Sequence, residues 1–228
     1  MNILESIKNL SKAEKTRWFI SLIIIIVSSC LFHEKDVLTI IASIIGATAL
    51  IFVGKGDAIG QLLTIIFAVI YGNISFRFHY YGEMITYVGM TAPSALWAMI
   101  MWLKNPYSKR EVKVGEMTKV KWCLLVVSAV IVTLIMWRVL AYFNTANILF
   151  STISVTTSYL ASMLMVLRSP CYAVCYAAND IILIVLWVLA SMVNIGYLPM
   201  VLCFLIFLIN DLYGFINWKR MKNRQDNR

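Results

Sequence analysis

Long apolar runs, broken only by short and mostly basic segments, constrain this chain more than any other feature. The runs fall at about residues 18–32, 37–53, 58–76, 84–103, 122–143, 147–167, 171–193 and 197–218. Most are long enough, at 1.5 Å of rise per residue, to cross a hydrocarbon layer about 30 Å thick as helices. Hydrophobic residues make up 61% of the 228 residues and charged ones 14%, with a mean hydropathy of +0.81. A soluble domain averages about 45–50% apolar residues and could not enclose this much apolar surface. Disorder, which needs low hydrophobicity and high charge, is excluded as well. The class implied is an all-α integral membrane protein with about eight spans. Lipid forces each spanning element to satisfy its own backbone, and no alternating strand pattern appears. The short connections leave no room for a separate soluble catalytic domain.

The basic residues orient the spans. With the N-terminus in the cytoplasm, the cytoplasmic side collects Lys8, Lys12, Lys15, Arg17, Lys55, Lys104, Lys109, Arg110, Lys113, Lys119, Lys121, Arg168, Lys219, Arg220, Lys222, Arg224 and Arg228. Of the 20 Lys and Arg, only Lys35 and Arg77 fall outside, and Arg138 sits within the fifth span. The positive-inside rule therefore places both termini in the cytoplasm of a cell (inner or plasma) membrane. The net charge of +9 speaks for membrane orientation and lipid contact, not nucleic acid. Cys30, Cys123, Cys171, Cys175 and Cys203 all lie in apolar runs without a CxxC, and read as small buried thiols. The first run is the shortest. Its basic start and Val27-Ser28-Ser29-Cys30 also loosely resemble a lipoprotein signal with its cleavage cysteine.

The order of the spans carries a repeat. Spans 2–4 and spans 6–8 run in the same three directions, and span 5 restores direction between them. This is the arithmetic of a parallel repeat, as in SWEET-type transporters. The division is an N-terminal segment and extra helix (1–36), a first three-helix bundle (37–103), a basic loop and linker helix (104–146), a second three-helix bundle (147–218) and a basic tail (219–228). Both third helices end in a tryptophan followed by basic residues, Trp102-Leu103-Lys104 and Trp218-Lys219-Arg220. Interfacial Trp and Lys do this in many membrane proteins.

Polar residues at membrane depth are the sharpest functional pointers. Asn179-Asp180 and Asn210-Asp211 each lie about 12 Å from the cytoplasmic end of their spans, so the two pairs share one level. They form either a hydrogen-bonded clasp between helices or a polar wall of a substrate path. Ser151, Ser154, Ser158 and Ser162 make a small-hydroxyl stripe, read as close-packing surface or cavity lining. Gln61 is an amide in the cytoplasmic third of span 3 and a ligand-contact residue. Glu83, after Tyr80-Tyr81-Gly82, is a helix-start acid or a gate residue at the outer mouth. Arg138 snorkels. Tyr71, Trp97, Trp102, Tyr172, Tyr176, Trp187 and Tyr213 are aromatic faces able to stack on a planar ring, and cation–π attraction favours a positive one.

Missing motifs exclude several chemistries. The stretch from Gly54 to Gly60 has glycines but no GxxxxGK[ST] and reads as a turn. His33-Glu34 lacks the second histidine of HExxH, and His79 is isolated. No catalytic residue, metal site or cofactor is expected, and the chain reads as no enzyme.

The residues resemble the PnuC family of vitamin B3 transporters, over about residues 37–220. The stretch Tyr80-Tyr81-Gly82-Glu83-Met84, Pro93, Trp102 and Asn105 resembles the end of that family's first unit. The family's W-x-x-W-x-x-N stands here as Met99, Trp102 and Asn105, with Trp97 nearby. Its N-x-x-Y-G-x-x-x-W stands as Asn210, Tyr213, Gly214 and Trp218, and its W-x-x-W-x-x-x-N only as Tyr172, Cys175 and Asn179. The resemblance implies two three-helix bundles, a linker helix and an extra N-terminal helix. It implies uptake of nicotinamide riboside by facilitated diffusion, trapping by a cytosolic kinase, and a homotrimer. Substrate contacts are then expected at Gln61, Trp102, Asn179, Asn210 and Tyr213, with Asp180 and Asp211 as further contacts, and gates at Asn105 and Glu83. A thiamine-like or riboflavin-like vitamin is the alternative substrate, and a non-transporting membrane subunit a third reading.

Reporter tags at residue 1 and residue 228 are expected to be cytoplasmic together. Tags protected on opposite faces would refute the span count.

Overall fold

Every apolar run becomes a helix, as a medium without water demands. The computed structural model describes residues 3–31, 37–77, 81–145 and 147–227. Phe32, His33-Glu34, Lys35, His79, Tyr80 and Arg228, all invoked above, lie outside the described residues. The elements are α1 (Ile3–Lys8), α2 (Lys12–Leu31), α3 (Val37–Gly54) and α4 (Ile59–Arg77). One span then runs from Tyr81 to Lys104 as α5 (Tyr81–Met84), a π-helical stretch (Ile85–Thr91) and α6 (Ala92–Lys104). After it come α7 (Lys119–Tyr142), α8 (Ile148–Val166), α9 (Tyr172–Val193), a 3₁₀ turn (Ile195–Tyr197) and α10 (Leu198–Asp226).

Among the described residues seven helices are long and apolar enough to cross a membrane. They are α3, α4, the Tyr81–Lys104 span, α7, α8, α9 and α10 with its leading turn. The remaining run is helical too, but Lys12, Glu14, Lys15 and Arg17 fill the first turns of α2. Its apolar part, Trp18 to Leu31, extends only about 21 Å.

α3, α4 and the Tyr81–Lys104 span pack together, as do α8, α9 and α10, with α7 lying against α8. The two triplets meet reciprocally: α10 packs on α3, and α6 on α8. The same symmetry appears atom by atom. The Trp102 indole N–H, near the end of α6, donates to Met165 O, the penultimate carbonyl of α8, at 3.1 Å. The Trp218 indole N–H, on α10, donates to Val53 O, the penultimate carbonyl of α3, at 2.9 Å. Each carbonyl also accepts a turn amide, Arg168 N to Met165 O at 3.0 Å and Gly56 N to Val53 O at 2.9 Å, so each indole takes up the second lone pair. Both tryptophans are buried, and their ring centroids stand 5.3 Å apart. Below them Gly54 and Gly214 face each other. A Cβ on Gly214 would make ordinary contact with Gly54 Cα at 3.6 Å but would crowd the Tyr172 hydroxyl at 3.1 Å, so glycine there makes room for the α9 tyrosine.

Both ends of the chain lie at one end of the bundle, here the terminal end. The basic loop there holds a short hairpin, β1 (Pro106–Ser108) with β2 (Glu111–Val112), where only loop was expected. Pro106 cannot extend α6. The hairpin is anchored by Val112 N donating to Gly56 O at 3.0 Å and by Gln225 of α10 donating to Glu111 and Val112. The cysteine expectation needs correction. All five are free, but Cys30 and Cys123 are exposed on the outward faces of α2 and α7, and only Cys203 is fully buried.

α1 and the start of α2 cap the terminal end. Ser11 and Glu14 form a capping box, with Ser11 N donating to Glu14 Oε2 at 2.7 Å and Glu14 N to Ser11 Oγ at 3.2 Å. Glu14 also pairs with Lys55 at 3.2 Å and accepts from the Tyr213 hydroxyl at 3.2 Å. It thereby ties the α3–α4 turn to α10. Burial pushes the Glu14 carboxyl up, but the Ser11 amide and the Lys55 ammonium outweigh it and hold it below its ordinary value.

Trp218→Phe and Trp102→Phe should each lower the unfolding temperature in detergent, since each removes one buried hydrogen bond between the triplets, contributing about 0.5–1.5 kcal/mol. Unchanged unfolding in both would show the indole bonds to be incidental. Glu14→Gln, which keeps the capping box but loses the charge facing Lys55, should lower the unfolding temperature by about 2–4 °C at neutral pH, the shift for a loss of about 1 kcal/mol. The depressed carboxyl contributes above its unfolded value, near 4.5, and loses that contribution as pH falls through its folded one. The gap between wild type and variant should therefore close in acid.

Candidate functional site

A cavity of about 500 Å³ opens at the end of the bundle opposite the termini. Its walls come from the Tyr81–Lys104 span, the end of α7, the first turns of α8 and the last turns of α9. Tyr87, Trp187, Tyr197 and Phe143 supply aromatic surface, and Glu83, Thr86, Ser151 and Ser154 supply polar groups. The described lining residues include no Lys or Arg. Local structure explains the placement. Glu83, Thr86 and Tyr87 are three and four residues apart, hence neighbours on one helical face. The π-helical stretch begins between Glu83 and Tyr87, and π turns inside α-helices frequently mark functional sites. Glu83 Oε2 accepts from the Tyr71 hydroxyl on α4 at 2.8 Å. Tyr71 is held by Phe67, Tyr87 and Phe204 at centroid distances of 5.4, 4.5 and 6.4 Å.

A polar path continues inward from the cavity floor. Ser154 Oγ donates to Asn179 Oδ1 at 2.8 Å, and the Thr157 hydroxyl to the same oxygen at 3.1 Å. One residue on, Asp180 lies close to Asp211 on α10, and its Oδ2 has no hydrogen-bond partner among the described residues. Asn210, beside Asp211, donates to Ile206 O of its own helix at 3.0 Å. All four side chains are buried.

The structure therefore brings Asn179, Asp180, Asn210 and Asp211 together at one depth, and places Glu83 in the cavity wall. Gln61 is buried in the first turn of α4 with its Nε2 unpartnered among the described residues, and lines neither large cavity. Trp102, Asn105 and Tyr213 lie nearer the terminal end. Trp102 closes the contact with α8 and forms part of the wall of a second cavity, about 620 Å³, beneath α1 and the hairpin. Asn105 caps α6 and donates to Met101 O at 2.8 Å. Tyr213 faces α2, with the Arg17 guanidinium 3.1 Å from its ring centroid. Of the serine stripe, Ser151 and Ser154 line the cavity, while Ser162 hydrogen-bonds with the Tyr176 hydroxyl at 3.1 Å. Sequence reasoning missed Tyr87, Thr86 and Tyr197. A helical projection from Glu83 would have found the first two.

Among the described residues no group of His, Cys, Asp and Glu could hold a metal ion. The arrangement suits reversible binding of a flat, partly polar molecule.

Comparisons with known proteins agree with this geometry. Residues 36–220 match the family described as nicotinamide mononucleotide transporter. A nicotinamide riboside transporter PnuC of Neisseria mucosa is 29% identical over 199 residues, covering 85% of this chain and 76% of that protein. The nicotinamide riboside transporter PnuC of Haemophilus influenzae is 24% identical over 190 residues, covering 82% and 81%. The crystal structure of a vitamin B3 transporter PnuC superposes with a TM-score of 0.83 at 28% identity, over 95% of this chain and 94% of that one.

Proposed function

The chain belongs to the nicotinamide mononucleotide transporter family, a family of transporters and not enzymes, and from that premise we propose that it carries nicotinamide riboside across the cell membrane by facilitated diffusion. The observation that carries the choice of riboside is the lining of the 500 Å³ cavity. Aromatic faces and a carboxyl suit a pyridinium ring, and hydroxyls suit a neutral ribose. A mononucleotide would bring a phosphate to walls whose described residues offer it no cation.

In this reading the substrate passes from the cavity to the level of Asn179 and Asn210. The ribose exchanges hydrogen bonds with these amides, and Asp180 and Asp211 line the same step. Gln61, with a spare donor, serves the inner half of the path. Trp102, Asn105 and Tyr213 act on the gate at the terminal end, which faces the cytoplasm. The two triplets rock about this level to expose it alternately. Cytosolic phosphorylation then prevents return. α7 buries only Leu125, Ala129 and Leu140 against the bundle, and its remaining surface meets lipid or the neighbouring copies of a homotrimer.

Purified protein in vesicles is expected to equilibrate labelled nicotinamide riboside without ATP or an ion gradient, and to stop at equal concentrations. An enclosed riboside kinase with ATP should carry accumulation further. Asn210→Ala should abolish uptake at unchanged folded yield. Vesicles that stay sealed to the riboside, or that fill only with an ion gradient, would remove this reading. Competition by thiamine or riboflavin at equal strength would shift the substrate.

A further inference from the structure

We propose that Glu83 selects the charge of the substrate: its carboxylate is the counter-ion for a cationic ring, so the protein prefers a pyridinium nucleoside to a neutral molecule of the same shape. The inference deepens the function proposed above and rests on it.

Glu83 contributes the one carboxylate among the described residues that line the 500 Å³ cavity, and no described Lys or Arg lines it. None of the ion pairs among the described residues involves Glu83. Its partners are neutral hydroxyls of α4: Tyr71, which donates to Oε2 at 2.8 Å, and Ser75. A carboxylate offers about four acceptor positions, so two hydroxyl donors fix it and leave capacity toward the cavity. The anchor is rigid, because Tyr71 is buried among Phe67, Tyr87 and Phe204. A carboxyl without a cation partner, in a cavity wall near the end of a span, marks a functional site by default.

Ring surface completes the site. Tyr87 lies one helical turn beyond Glu83, and Trp187 enters from α9. A flat cation between them meets aromatic faces and the carboxylate at once, and both attractions vanish for an uncharged ring. Hydroxyls from Ser151 and Ser154 contact any ribose whatever the ring's charge. Ring charge and ribose are thus read by different residues.

The test compares nicotinamide riboside with benzamide riboside, its planar neutral isostere, in vesicles of wild type, Glu83→Gln and Glu83→Asp. In wild type the cation should show the lower KM. Glu83→Gln should raise the KM of the cation about tenfold, the factor for a pair contributing about 1.4 kcal/mol. The KM of benzamide riboside should move by a much smaller factor, so that the preference for the cation collapses toward unity. Glu83→Asp, which keeps the charge, should restore part of the preference. Glu83→Gln with wild-type KM for the cation, or with both substrates lost equally, overturns the inference and leaves riboside transport standing. Wild-type vesicles closed to both substrates overturn the transport reading and this inference with it.

Discussion

The reciprocal indole–carbonyl bonds are the interaction on which the arrangement depends. Trp102 donates to a carbonyl at the end of α8, and Trp218 to one at the end of α3, each as a second donor beside a turn amide. Each bond crosses from one triplet to the other, and the two indoles pack together. Hydrophobic association is weak between helices in lipid, so close packing and such interhelical hydrogen bonds have to supply the cohesion. Both indole bonds lie at the terminal end.

The consequence is an asymmetric molecule. At the terminal end the triplets are joined by the indoles and by the Gly54–Gly214 approach. They are also joined by Asn217, which donates to Gly54 O at 2.8 Å. Outside these, α1, the start of α2 and the hairpin add Ser6 donating to Asp57 at 2.6 Å and Glu14 bridging Lys55 to Tyr213. At the opposite end the walls part around a 500 Å³ cavity. Between the two lies the level of Asn179, Asp180, Asn210 and Asp211. On the function proposed here, a joined end, a parted end and a polar level between them suit one state of an alternating-access carrier.

Most of this frame was legible because a bilayer removes alternatives. Run length gives the helices, and direction gives the parallel triplets. A fixed rise per residue sets Asn179-Asp180 and Asn210-Asp211 at the same depth. Side-chain direction was less legible. Trp102 and Tyr213 carry the right chemistry for stacking on a ring, but one is consumed by Met165 O and the other by Arg17 and Glu14. No local pattern announces such distant partners. The paired Trp ending of the two third helices was visible in the sequence, but its meaning required the facing carbonyls. Tyr87 escaped notice because it sits on a span read for its ends only. The Ser11–Glu14 capping box is local and was open to sequence reading.

The two kinds of acid in the interior have different partners, and the difference matters for a carrier that works without fuel. Such a carrier must let its substrate go as readily as it takes it, so no site along the path can hold a cation too strongly. Glu83, supported by hydroxyls, stands where the cavity opens. Deeper, where a lone carboxylate would attract a cation most strongly, Asp180 and Asp211 lie against each other. Two adjoining carboxyls repel each other when both are ionised, and the remaining contacts at that level are amides and hydroxyls. Recognition of charge at the mouth and of ribose in the interior keeps the binding energy spread along the path. On the function proposed here, that spread is what allows a charged nucleoside to pass in either direction down its own gradient.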